Sequence, residues 1–287
     1  MSQPLVPASR WQPLILGAVA YDPKVVTIWE GFKAYFGQRG LPFDYVLYSN
    51  YEQQVLSHFD GQFHVAWNSP LAWIEAERLA AKRGRTASAI AMRDSDRDLT
   101  SVIVTRRNDG ISMLADLKGK RVAVGAKDSP QATLIPLELI AKAGLVPGQD
   151  LEVLYFNIGE GKHGDHIGGE REAAKALMAG KADACCILDA NRILFAQEGT
   201  LPTGPTQIVA TTEPFDHCNF TVLDGAPQAQ VDRFVELLLA MSYTDPEARP
   251  LLDLEGLKRW MPGRLSGYAQ LNCAVDRFHG LDSFLAS

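Results

Sequence analysis

The chain has 287 residues, of which 46% are hydrophobic and 22% charged, enough to build a sizeable core as one large or two medium domains. A net charge of −6, with Lys82-Arg83-Gly84-Arg85 as the densest basic cluster, speaks against nucleic acid as a partner. No segment has the apolar length of a membrane span. The stretch Met1–Tyr21 carries one Arg, then Trp and Pro, then the short apolar run Leu14–Ala20; it lacks the order of a secretory signal. The expected location is therefore the cytoplasm, or the periplasm if the chain begins at a mature end, and a membrane transporter is not an expected partner. The four cysteines, Cys185, Cys186, Cys218 and Cys273, show no C-x-x-C spacing. Buried free thiols in a reducing compartment are the expectation.

In chain order, Ile15–Ala20 reads as a strand and Val25–Phe36 as a helix with apolar residues at helical spacing. Phe43–Tyr48 is a second strand, Tyr51–His58 a helix, Phe63–Trp67 a third strand and Leu71–Ala81 a helix opened by Asn68-Ser69-Pro70. This β-α-β-α-β order with short connections predicts a parallel sheet covered by helices. Ligands in such sheets sit beyond the carboxyl ends of the strands, where Tyr21, Trp67, Asn68 and Ser69 fall. Ile90–Met92 and Thr100–Thr105 read as strands. Asp116–Lys120 is a turn, Arg121–Gly125 a buried strand, and Ser129-Pro130 the cap and first position of a helix from about Gln131 to Ala143. A strand ending in Gly that feeds a Ser-capped helix aims backbone N–H groups at one point, which favours an anion or strong acceptor. Leu151–Ile158 and Ala182–Leu188 read as strands, Ala173–Met178 and Asn191–Glu198 as helices, Gln207–Thr211 and Phe220–Leu223 as strands, and Val231–Met241 as a helix. The tail Asp245–Phe278 reads as helical with breaks at Pro250 and Pro262.

The residues Asp116–Gly125 (DLKGKRVAVG), Ser129, Leu134-Ile135-Pro136 and Ala143-Gly144-Leu145 resemble the phosphate/phosphite/phosphonate (PhnD-like) group of substrate-binding proteins with the type 2 periplasmic-binding-protein fold. Matching features run from about Ile15 to Leu271. The resemblance implies an α/β fold of two lobes, each a mostly parallel sheet flanked by helices, joined by two crossing strands. Residues 1–105 and 212–287 would form the first lobe and 106–211 the second. It implies ligand contacts from Tyr21, Trp67, Asn68 and Ser69 in one lobe, and from Ser129, Gln131, Thr133, His163, His166 and Asp189 in the other. The family's anion-binding run, usually Ser-Thr-Ser-Gly, is here Ser129-Pro130-Gln131-Ala132. Pro130 removes an N–H, Gln131 brings a longer amide, and Thr133 restores one hydroxyl. Lys127 and Arg192 are candidate cations, and Asp189 matches a family acid after the corresponding strand.

The loop Gly159–Arg171 (GEGKHGDHIGGER) is longer than in that family. His163-x-x-His166 with flanking carboxylates has the donor types of a zinc or iron site, with His64 and His217 as further ligands; a flexible loop making ordinary hydrogen bonds is the alternative. The sequence requires no cofactor. Two functions follow: binding of a small polar or anionic molecule, with or without an aromatic part, in the cleft, or a cytosolic enzyme on the same fold, with or without a metal. The enzyme would use His163 or His166 as general base, with Asp165 or Asp189 orienting it. His217 and Cys218 face apart if they lie in a strand. No G-x-S-x-G, phosphate-binding loop or dinucleotide fingerprint is present.

Overall fold

The structure, a computed structural model, describes residues 12–164 and 167–278. The first part of the chain gives β1 (Leu14–Val19), α1 (Lys24–Gln38), β2 (Phe43–Tyr48), α2 (Tyr51–Phe59), β3 (Val65–Asn68), α3 (Pro70–Lys82) and β4 (Ala87–Arg93). After a crossing come β5 (Ser101–Arg106), β6 (Arg121–Val124), α4 (Ile135–Lys142), β7 (Glu152–Tyr155), α5 (Gly168–Met178), β8 (Ala184–Leu188), α6 (Asp189–Gln197) and β9 (Thr206–Thr211). The chain then returns through β10 (Asn219–Leu223), α7 (Gln228–Leu239), α8 (Arg249–Glu255), β11 (Trp260–Pro262) and α9 (Ala269–Phe278). No described helix is long and apolar enough to cross a membrane.

These elements form two sheets, one of six strands in the order β11-β4-β10-β3-β1-β2 and one of five in the order β7-β6-β8-β5-β9. β1 pairs in parallel with β2 and β3, and β6 in parallel with β7 and β8. β10 is inserted antiparallel between β3 and β4, and β5 antiparallel between β8 and β9. Each inserted strand is the first one laid down after a crossing. The α/β, two-lobed architecture expected from the sequence is borne out. Strand pairing places Ser101–Thr105 in the second sheet, although the sequence reading put those residues in the first lobe. The crossings themselves meet through an isolated antiparallel bridge, Leu99 to Phe215, with N–H···O distances of 2.8 Å in both directions.

The tail differs from its sequence reading. Trp260–Pro262 is an edge strand antiparallel to β4, not a helix break; Pro is tolerated at such an edge. Pro250 sits in the first turn of α8 instead of interrupting it, where its missing N–H costs nothing.

The first lobe is filled with aromatics. Trp29, Phe32, Phe36, Phe43, Trp67, Phe220, Phe234 and Trp260 pack in one cluster, with Phe43 and Phe234 stacked at 5.9 Å and 3°. The second lobe is filled by aliphatic residues such as Ile103, Leu137, Ile140 and Ile187, with the small residues Ala123, Ala173, Ala174 and Cys185 among them where α5 packs on its sheet. The helix α9 spans both lobes. Arg78 of α3 reaches Asn272 (3.1 Å) and Asp276 (2.8 Å) on it, while Arg277 from it pairs with Glu138 of α4.

Candidate ligand-binding site

The carboxyl ends of β1 and β3, together with the segments after β4 and before β10, face the loops after β6 and β8 across a cleft. Between them lies a cavity of about 250 Å³. The first lobe lines it with Tyr21, Trp67, Arg93, Asp96, His217 and Cys218, and the second with Gln131, Gly164, Ile167, Leu188 and Asn191.

Gln131 owes its position to local backbone geometry. Ser129 caps the turn by accepting from the Ala132 N–H (3.2 Å), and Leu134 donates to the Ser129 carbonyl five residues back (3.0 Å). That wide π-type turn, Pro130–Leu134, precedes α4; such turns recur at functional sites. Gln131 Nε2 donates to the Gly164 carbonyl (2.8 Å), and its Oε1 lies 3.4 Å from His217 Nε2 across the cleft. Gly164 has φ +76°, and a Cβ there would stand 2.3 Å from Ser129 Oγ, so the close approach needs glycine. Behind Gln131, the buried Glu170 accepts from the Leu188 N–H and from Asn191 Nδ2, both at 2.9 Å. Burial raises its carboxyl above the usual range, opposed by those donors.

On the first-lobe wall, Arg93 grips Asp96 bidentately (2.5 and 2.9 Å) and reaches Glu255 Oε2 (3.0 Å). Its guanidinium carbon stands 5.0 Å from the Trp67 ring centre. Burial alone would raise Asp96; Arg93 and His217 overcome it and hold the carboxyl at about 2. His217 Nδ1 is 3.5 Å from Asp96 and 3.1 Å from Cys218 Sγ. Residues 217 and 218 precede β10 and lie outside a strand, so their side chains meet instead of facing apart.

A second cluster joins the lobes. The loop after β7 turns through Gly159, Gly161 and Gly164 at positive φ, and His163 itself has φ +49°. Its ring is fully buried, stacked on Tyr51 at 4.7 Å and 17°, with Nδ1 2.6 Å from Ser69 Oγ. Ser69 also caps α3 by accepting from the Ala72 N–H (3.1 Å). His163 Nε2 faces Glu52 (3.6 Å) and Glu75 (3.9 Å). Asp128 holds the loop from below, accepting from the Gly161 and His163 N–H groups (2.6 and 3.2 Å). Burial pushes the Glu75 carboxyl up to about 7, with Glu52 and Asp128 adding and His163 opposing. Burial would lower the His163 imidazole, but Glu52, Glu75 and Asp128 outweigh it and hold it above its ordinary value.

The residues read from sequence therefore separate. Tyr21, Trp67 and Gln131 line the cavity. Ser69 and His163 meet each other, and Ser129 is spent on its cap. Asn68 is engaged inside the first lobe, accepting from Gln54 (2.8 Å) and donating to Thr221 (3.0 Å). Thr133 donates to the Ala126 carbonyl (2.7 Å). It lines, with Lys127, a separate hollow of about 900 Å³ that draws all its lining but Phe278 from the second lobe. Asp189 pairs with Arg192 (3.1 Å), and its neighbour Asn191 takes the place at the cavity. His64 accepts from the Ile15 N–H (2.9 Å), at the opposite end of the strands from the cleft. Asp165 and His166 lie outside the described residues. The sequence reading missed Arg93, Asp96 and Glu255, and also Glu52 and Glu75; it offered Glu170 only as a carboxylate flanking the His163-x-x-His166 pair, not as the support behind Gln131. Only Glu75 carried a signal, as an acid inside the apolar run Leu71–Ala81.

The family described as "ABC transporter, phosphonate, periplasmic substrate-binding protein" matches this sequence over residues 18–268. The chain belongs to that family. PhnD1 from Prochlorococcus marinus, solved with methylphosphonate, superposes on this phosphonate-binding family member with a TM-score of 0.70 at 16% identity, covering 93% of this chain and 98% of that one. XAC2383 from Xanthomonas citri, solved with ATP, gives 0.69 at 17% identity, with 94% and 98% covered. The aliphatic sulphonate binding protein SsuA from Escherichia coli gives 0.59 at 16% identity, with 93% and 92% covered. An uncharacterized protein of Haemophilus influenzae is 43% identical over 42 residues, 15% of this chain and 59% of that protein's length.

Proposed function

We infer that this protein binds a small polar or anionic solute, of the phosphonate or sulfonate class, in the cleft between its lobes. The observation that carries the reading is the cavity of about 250 Å³ lined from both lobes beyond the carboxyl ends of their strands. It falls below the roughly 300–1,000 Å³ of sites for drug-sized ligands, which fits a molecule the size of methylphosphonate better than a nucleotide. Family membership and the solved relatives support the ligand class. The departures support a polar, hydrogen-bonded seat over a tight dianion clamp: Gln131, Asn191 and His217 offer amides and an imidazole, and the acids Asp96 and Glu170 stand nearby. Turnover through His163 is disfavoured because its ring is fully buried and does not line the solute cavity. The buried free thiols Cys185, Cys186 and Cys218 support the cytoplasm as the working compartment; recovery of the chain in a periplasmic fraction overturns that part.

The test is calorimetric titration with methylphosphonate, an alkanesulfonate and inorganic phosphate. One of them should bind at one molecule per chain, with Gln131→Ala weakening it at least about tenfold, or ~1.4 kcal/mol. No saturable binding of any of the three, or binding indifferent to Gln131→Ala, overturns the assignment.

A further inference from the structure

We propose that Glu52, Glu75 and His163 form a binding site for a divalent transition-metal ion of the zinc class, bridging the two lobes. One donor atom from each residue lies within 4.8 Å of the others. The imidazole Nε2 stands 3.6 Å from Glu52 Oε1 and 3.9 Å from Glu75 Oε1. A tetrahedral ion with bonds of about 2.1 Å sets its ligands about 3.4 Å apart, so small side-chain movements complete the site. Imidazole with carboxylates suits zinc, and three protein ligands leave one position open.

The second observation is that the donors are bare. His163 Nε2 and Glu75 Oε2 are buried with no hydrogen-bond partner, although His163 is fully buried and Glu75 only 2% exposed. Buried polar atoms of this kind ordinarily find partners. The surroundings supply what a ligating histidine needs: its other ring nitrogen lies 2.6 Å from Ser69 Oγ, which orients the ring, and with the proton on Nδ1 the Nε2 lone pair is presented to an ion. Tyr51 packs on its face, and Asp128 pins the backbone on either side. Glu52, with its side chain 42% exposed, gives the ion a way in from solvent.

The other cluster of ligand-type residues, Asp96, His217 and Cys218, lacks this feature. There Arg93 occupies both oxygens of Asp96, and a cation would have to displace a guanidinium. None of Glu52, Glu75 and His163 lines the solute cavity, so the metal site stands independently of the solute reading.

The full chain, stripped with a chelator and dialysed, is titrated with zinc chloride. One ion per chain should bind, with a Kd on the order of 1 µM or tighter. Glu75→Gln, which keeps the side-chain volume, should weaken it at least tenfold, and Ser69→Ala by 10–100-fold through loss of the support to His163. Cobalt should give the visible absorption of a four-coordinate site in the parent and lose it in Glu75→Gln. Zinc should raise the Tm of the parent but not of Glu75→Gln, whose own cooperative melting shows that it is folded. Absence of stoichiometric uptake overturns the proposal, as does zinc affinity unchanged in both Glu75→Gln and His163→Gln.

Discussion

Two buried clusters flank the cleft, and each combines two carboxylates with an imidazole. In one, Asp96 and Glu255 share the guanidinium of Arg93, with His217 alongside. In the other, Glu52 and Glu75 face the imidazole of His163 and, among the described residues, form no ion pair with an arginine or lysine. The first balances its charge within one lobe and is part of how that lobe holds together. The second takes its carboxylates from one lobe and its imidazole from the other, so its charge balance exists only while the lobes are together. The difference is a guanidinium, and it separates a structural ion pair from a site with donors to spare.

Arg93→Met should have the largest effect, because it takes the guanidinium away from two buried carboxylates, Asp96 and Glu255. The expected loss is about 3–5 kcal/mol, read from urea unfolding; a loss below about 1 kcal/mol would break the contrast. His58, outside both clusters, gives a reference for a buried histidine with no acid beside it. Burial lowers its imidazole to about 4, with the His64 carbonyl opposing and Arg85 adding. Its folded value lies below the unfolded one near 6.5, so stability is full above pH 6.5 and is lost as pH falls toward 4, by about 3 kcal/mol. His58→Gln should flatten that limb of the stability profile.

Ser69→Ala removes the cap of α3 as well as the contact to His163, and should cost about 1 kcal/mol in metal-free protein. Glu75→Gln sharpens the comparison most. In metal-free protein it removes one of two buried carboxyls that share a single imidazole and have no guanidinium, so its urea midpoint should stay level or rise, whereas Asp96→Asn, which breaks the grip of Arg93, should lower it clearly. Equal losses in the two variants would show the clusters to be alike. Smallest of all, Glu198→Gln cuts the part-exposed pair with Arg171 and should change stability by less than about 1 kcal/mol.

Local chemistry made much of the fold legible. β2 has the bounds its apolar run announces, Phe43–Tyr48, and Ser69-Pro70 and Ser129-Pro130 start their turns as Ser-Pro pairs should. Pairing between distant segments was not legible. The insertion of β10 between β3 and β4 leaves no mark in Asn219–Leu223 itself, and β11 is too short to show alternation. The site divides the same way. Tyr21, Trp67 and Gln131 follow from strand ends and a helix start, because the fold rule that places them is local. Arg93 finds Glu255 across 162 residues, a distance no spacing rule reaches. Glu52 looks like an ordinary helix acid, and Glu75 like a misplaced one, until the loop carrying His163 closes over them.

The insertion of β10 also sets an order of assembly during synthesis. Every strand of the second sheet lies within residues 101–211, so that lobe can complete itself as soon as this stretch leaves the ribosome. The first sheet cannot. Until Asn219–Leu223 emerges, β3 and β4 have no strand between them, and each keeps an open edge of the kind that invites wrong pairing. The half of the protein that is translated first is thus the half that finishes last, and its nascent form spends the making of the whole second lobe with its sheet divided.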